Sequence, residues 1–273
     1  MNILGIDFEE WYHPELIKKN LSVKKKVEPS VINGIDKILE WLRKNETSAT
    51  FFVVGELLEI MPELLDKIIE NEHEIGFHTM HHSRLEDIKA KEFSNEIEKF
   101  SELTEGRSRG FRAPTFSLNS STSWAIDVLE ENDYLYDSSV VPAKSGLYGI
   151  PGANEKPYKI SSRSLKEEDE DGKIHEFPIL TTRFLGKKIP AGGGFYLRTL
   201  PMKIIKNAIK NNERNQIPST FYIHSWELTP EFMPRLELPA KDKFITYHNL
   251  EKALPKMTDI LQEFEFTSFK KYF

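Results

Sequence analysis

Cysteine is absent from the 273 residues. Disulfides, thiolate metal ligands and a cysteine nucleophile are therefore excluded, and any metal must be held by histidine and carboxylate. A basic excess is missing too. Lys and Arg number 37 against 43 Asp and Glu, a formal net charge of −6. That balance argues against nucleic acid as a partner and leaves a neutral sugar open. No apolar run reaches the roughly 18–20 residues of a membrane span. The opening "MNILGIDFEEWYH" carries no basic leader and no cleavage site, so a cytoplasmic protein is expected. There is no repeat and no long low-complexity linker.

What is present is an ordinary soluble balance, 39% hydrophobic and 29% charged, on a chain long enough for one large α/β barrel. Strand-like and helix-like segments alternate. "NILGIDF" (2–8) reads as a buried strand. Residues 30–46 place Val31, Ile35, Ile38, Leu39 and Leu42 at helical spacing, with Ser30 as N-cap. Strands follow at 48–54, 74–78, 108–112, 134–139, 175–180, 220–226 and 265–269. Helices are expected at 61–72, 90–105, 120–132, 200–214 and 249–263. The stretch 143–173 breaks this rhythm, and "KEEDEDGK" (166–173) reads as an exposed hairpin turn. Repeated β-then-α units imply a parallel sheet with right-handed crossovers. The expected fold is a single α/β domain over 1–273, a distorted (β/α)7-8 barrel with an inserted loop or hairpin near 143–178. An open doubly wound sheet is the alternative. Either fold gathers its active site at the C-terminal ends of the strands.

Five strands end in groups able to do chemistry: Asp7 and Glu9, His78, Arg112, Asp137 and His224. In "GFHTMHHSR" (76–84), His78 and His82 are four apart and can share one ion if the chain turns helically there. His81 competes with His82 on spacing alone. The glutamate of an H-E-x-x-H metalloprotease is missing. A third ligand is expected to be an oxygen donor, and "DFEE" supplies it. Strand parity sends Asp7 and Glu9 to one side and Glu10 to the other. Arg112 precedes Ala113–Pro114, a stiff turn that would orient a neighbouring carboxylate. Asp137 is a candidate hydrogen-bond partner for a histidine. Phe116, Phe195, Tyr196 and Trp226 are the candidate substrate-contacting aromatics. The Gly192–Gly194 run would border the cleft or simply make a tight strand-to-helix loop, with 143–173 as a lid.

In order along the chain, these motifs resemble the polysaccharide deacetylase family, carbohydrate esterase family 4. "DFEE" resembles its acidic motif, "HTMHH" fits H-[S/T]-x-x-H, "RAP" fits R-x-P, "YDSS" stands at the fourth motif and "YIH" resembles L-x-H. "IDFEEW", "FRAPTFS", "PAGGGFYLRTLP" and "YIHSWE" look like the branch associated with exopolysaccharide gene clusters. The resemblance implies a divalent metal, most often zinc, and hydrolysis of an N-acetyl group on a sugar. It implies Asp7 as general base, His78 and His82 as ligands with His81 a bystander, Arg112 orienting Asp7, and His224 as general acid. A backbone N–H of the "PTF" turn would serve the oxyanion. The chain departs from the family where two adjacent aspartates are usual, where Ser138 and Ser139 replace a tryptophan, and where Tyr222 replaces a leucine. Deformylation, cyclic-ureide opening, a glycosidase using paired acids, and an inert carbohydrate-binding protein are the alternatives.

Overall fold

The first strand shows how the sheet is built. Asn2–Phe8 (β1) is buried at every position, as a near-continuous apolar run in a parallel sheet should be. The computed structural model describes residues 1–21 and 27–273. Next in the chain come β2 (Thr50–Val53), β3 (Glu74–Phe77), β4 (Gly110–Phe111) and β5 (Tyr136–Asp137). They are followed by β6 (Tyr158–Ile160), β7 (Ile174–Glu176), β8 (Thr181–Phe184), β9 (Lys187–Pro190), β10 (Thr220–His224) and β11 (Phe266–Thr267). The main sheet runs β10-β1-β2-β3-β4-β5-β7-β6, with β11 also pairing β1. All of these pairs are parallel except β6 with β7. A bridge between Ile179 and Thr220 links the far end back to β10, so the sheet curls into an α/β half-barrel.

Helices cover its outer face with one apolar stripe each. Ile35–Lys44 buries Ile35, Ile38, Leu39, Trp41 and Leu42. Ala90–Leu103 buries Phe93, Ile97 and Phe100, and Met202–Arg214 buries Ile205, Ala208 and Ile209. Phe77 lies at ring-centroid distances of 4.6 Å from Phe100 and 5.7 Å from Phe111. Each such fully buried ring contributes roughly 1.5–3 kcal/mol.

Several elements differ from the sequence reading. Ser30 makes no cap bond, because its hydroxyl donates to the Phe232 carbonyl at 2.6 Å. The N-terminus at residues 30–32 is capped instead by the Glu10 carboxylate, which accepts the N–H groups of Ser30, Val31 and Ile32 at 2.9, 3.0 and 2.6 Å. Helices at Glu56–Ile60 and Ala240–Tyr247 and the β8–β9 hairpin were not expected. The 166–173 turn does lie between antiparallel strands, β6 and β7. No helix among the described residues is long and apolar enough to cross a membrane.

Two buried acids, Asp137 and Glu176, face each other in register across β5 and β7. Burial raises both carboxyls above their ordinary range, and the neighbouring Asp137 pushes Glu176 further up. A raised folded-state value favours the protonated form, so this contribution to stability is present in acid and lost as pH rises through that value. Glu176→Gln removes the titrating proton. The variant should match the native protein in denaturant melts near about pH 4 and exceed it at about pH 9.

Candidate metal centre

Asp7 lies in β1, one residue before its end, and Glu9 follows just past Phe8, where Ser225 brackets the backbone. The Glu9 N–H donates to Ser225 Oγ at 3.0 Å, and that hydroxyl donates to the Glu9 carbonyl at 2.6 Å. Both acids line one cleft of about 300 Å³, together with His78, His82, Phe116, Tyr148, Tyr222 and His224. Glu10 points the other way into the helix cap described above.

His78 follows β3 directly. Its Nδ1 donates to the Arg112 carbonyl at 2.7 Å, which leaves the Nε2 lone pair free. Burial lowers its pKa to about 4, so the ring is neutral near pH 7. His82 reaches the same place without the helical turn that its spacing suggested. Thr79 and His82 adopt left-handed φ values of 58° and 52°, and the Thr79 hydroxyl accepts the Ser83 N–H at 2.9 Å. The ligand atoms of Glu9, His78 and His82 all lie within 4.8 Å of one another. His81 is exposed and pairs with Glu56 at 2.8 Å.

These residues fit a cation. Glu9 Oε2 is buried and lies 2.7 Å from His82 Nε2, yet no donor meets it in hydrogen-bonding geometry. A buried carboxylate oxygen and two imidazole nitrogens within 4.8 Å of one another are a donor set that suits a metal ion. The other oxygen, Oε1, accepts the Trp226 indole N–H at 2.8 Å. Burial alone would raise the Glu9 carboxyl, but His82, His224 and His78 hold it well below the ordinary range.

Beside this triplet lies a buried ion pair. Arg112 Nη1 donates to Asp7 Oδ1 at 2.6 Å. Its Nε and Nη2 donate to the carbonyl and hydroxyl of Ser138 at 3.0 and 2.9 Å, and the guanidinium sits 4.1 Å above the Phe52 ring. Gly5 makes room for it, since a Cβ there would lie 2.5 Å from Nη1. The serines that replace the usual tryptophan therefore have a use. Ser138 holds Arg112, and Ser139 Oγ accepts the Ala113 N–H at 2.8 Å.

Asp137 is not a partner of any histidine among the described residues. It accepts the Ser139 hydroxyl at 2.6 Å and is absent from the cleft wall. Trp226 also lines the cleft, with His224 stacked on one face at 4.6 Å and 15°. It is a support for Glu9 and His224. Phe116, Phe195 and Tyr196 do line the cleft. Phe116 spends its N–H on the Ala113 carbonyl at 2.9 Å, so an oxyanion donor from that turn would have to be Thr115, which also lines the cleft. Of the proposed lid, residues 145–148 border the cleft and 149–173 do not. The glycine run packs on β10, where a Cβ at Gly193 would lie 1.7 Å from the Tyr222 carbonyl oxygen.

His224 closes β10, with Nε2 3.9 Å from Glu9 Oε1. Its burial alone would lower its pKa, but Glu227, with Glu9 and Asp7, raises it to about 9. Sequence reading missed Glu227, Arg198 and Tyr148. The H-x-x-E spacing of His224 and Glu227, an N-cap spacing, was the available signal for the first. Tyr148 carries a hydroxyl 3.2 Å from that of Tyr222, inside an inserted segment with no periodicity to place it.

Residues 32–134 match the family model described as polysaccharide deacetylase, and residues 138–273 match a domain of unknown function (DUF3473). The cleft draws on both matched segments and on the N-terminal strand before them. A peptidoglycan-N-acetylglucosamine deacetylase of Bacillus cereus is 32% identical over 96 residues, 33% of this chain and 35% of the relative. The match thus spans about a third of that relative's length. A Mycobacterium smegmatis structure assigned as a polysaccharide deacetylase has a TM-score of 0.56 at 15% identity, covering 99% of this chain and 88% of that one. A Bacillus anthracis structure described as a CE4 family pseudoenzyme has a TM-score of 0.50 at 13% identity, over 99% and 64% of the two chains. The polysaccharide deacetylase model thus covers residues 32–134, and the fold of the whole chain resembles that of a structure assigned to the same family.

Proposed function

We propose that the protein is a metal-dependent hydrolase that removes an N-acetyl group from an amino sugar in a poly- or oligosaccharide or its precursor. One observation carries this reading. The buried Glu9 carboxylate and two imidazoles converge beside a carboxylate that Arg112 has fixed in place. Glu9, His78 and His82 would hold the ion. A divalent cation, zinc above others, supplies Lewis acidity that polarises an amide carbonyl and makes water acidic enough to attack.

The chain's own residues do the rest. Asp7 accepts a proton from the attacking water, with its orientation set by the 2.6 Å bond from Arg112. His224 delivers a proton from Nε2 to the departing amine, and the Glu227 carboxylate 2.6 Å from Nδ1 stabilises the charged ring. Phe116, Tyr148 and Tyr222 form an aromatic wall, with ring centroids 4.8–5.0 Å apart around Phe116, that takes the acyl methyl and excludes water. Phe195 and Tyr196 face the sugar across the cleft. The motifs "FRAPTFS" and "PAGGGFYLRTLP" support a place in the exopolysaccharide branch.

The test is acetate release from N-acetylglucosamine oligomers and nucleotide sugars, before and after chelation. Turnover that stops on chelation and returns with zinc or cobalt is expected. Glycosidic cleavage that survives chelation would replace this reading with a glycosidase. Sugar binding with no acetate released from any substrate would replace it with an inert binding protein.

A further inference from the structure

His224 is gripped from behind by residues that the family motifs do not include. Its Nδ1 lies 2.6 Å from Glu227 Oε2, and the same oxygen accepts the His224 backbone N–H at 3.2 Å. The second Glu227 oxygen lies 2.6 Å from Arg198 Nε. Glu227 is 0% and Arg198 2% exposed. Arg198 then spends its remaining donors on the carbonyls of Ile245, Thr246 and His248 at 2.8, 3.1 and 2.7 Å. Those carbonyls end the helix Ala240–Tyr247, whose Ile245 and Thr246 line the cleft.

Stability alone does not account for this pair. A buried carboxylate and guanidinium repay little more than their desolvation, and apolar residues of similar volume often serve a fold as well. A bond that fixes the far nitrogen of an imidazole has a different use, because it sets the tautomer and ring orientation at the near nitrogen. The fourth-motif acid is not available for that use, since Asp137 is occupied with Ser139 and does not line the cleft. Glu227 and Arg198 both lie in the segment matched only by a domain of unknown function.

We propose that Glu227, anchored by Arg198, is the positioning residue for His224, fixing Nδ1 as a donor and aiming Nε2 into the cleft. The proposal rests on the deacetylase reading for its kinetic consequence, but its geometric content stands apart from it. The tether ties the acid to the cleft wall. The guanidinium that holds Glu227 also holds the end of the helix that meets substrate.

Two variants of the full-length chain test this. Glu227→Gln keeps volume and an acceptor but loses the charge that holds Arg198. The double variant Glu227→Leu with Arg198→Met removes both charges, so that neither is left buried alone. In zinc-loaded native protein, ¹⁵N spectra should show His224 with a protonated, strongly hydrogen-bonded Nδ1. That signal should be lost in the folded double variant. Zinc affinity by calorimetry should stay within about threefold, because neither residue is a ligand, while kcat falls about 10–100-fold. Glu227→Gln should fall between the native and double variants with KM unchanged. A role confined to capping the Ser225–Leu228 turn predicts melting changes without a change in the His224 signal, and that result overturns the proposal. So does an unchanged kcat in a folded double variant. Should the native protein release no acetate, the deacetylase reading fails, and the ¹⁵N arm still decides the tether.

Discussion

Asp7→Asn should bind zinc as the native protein does and lose roughly 10²–10⁴-fold in kcat. The reason lies in how the acids divide their work. Asp7 is not one of the three converging ligands, and its Oδ1 is taken by Arg112 at 2.6 Å. Asparagine keeps an oxygen acceptor for Arg112, so the buried guanidinium is not left without a partner. What it cannot do is take a proton from water. The fold should therefore survive with a modest loss of stability, where complete removal of the partner to a buried charge would cost about 3–5 kcal/mol. Isothermal titration with zinc, paired with acetate release, separates the two effects. Loss of zinc from the variant would mean that Asp7 is a ligand and that the base lies elsewhere.

His78→Ala should do the reverse and lose the ion first. A four-ligand zinc site is worth roughly 10–16 kcal/mol, so one ligand carries about 3 kcal/mol, or roughly 10²-fold in affinity. The loss should be at least that large here. The His78 ring also satisfies the Arg112 carbonyl at 2.7 Å, and its removal loosens the residue that orients Asp7. Turnover at limiting zinc should fall with occupancy. His81→Ala, at an exposed residue that pairs with Glu56 and lies outside the triplet, should change neither. The pH dependence has a definite sign. Because burial lowers His78 to about 4, proton competition at this ligand sets in only as pH falls toward that value, and affinity should weaken there.

Much of the site can be read from the chain because strand ends are readable. A buried apolar run that stops at a polar group marks the C-terminal edge of the sheet, and Asp7, His78, Arg112 and His224 all follow that rule. Alternation of side chains also separates Glu9 from Glu10, which the structure places beside His78 and His82 and in a helix cap respectively. Three kinds of feature are not readable this way. Left-handed residues such as Thr79 and His82 give no composition signal, so the turn joining the two histidines cannot be told from a helical one. Partners set by tertiary packing, such as Glu227 with Arg198 and Asp137 with Glu176, lie far apart in sequence or on adjoining strands. Short elements on the cleft wall lack a clean apolar stripe. The helix Ala240–Tyr247 leaves Phe244 exposed and buries Asp242, the reverse of the pattern that a helix search looks for. The β8–β9 hairpin turns at Leu185 and Gly186, where only the glycine signals a bend.

The most direct measurement is anomalous diffraction from crystals of the zinc-loaded chain, collected on both sides of the zinc edge. The account predicts one strong peak bonded to Glu9, His78 and His82, with Asp7 close by but not coordinated. A density map with no peak there after zinc is supplied, or a peak held by other residues, would contradict it.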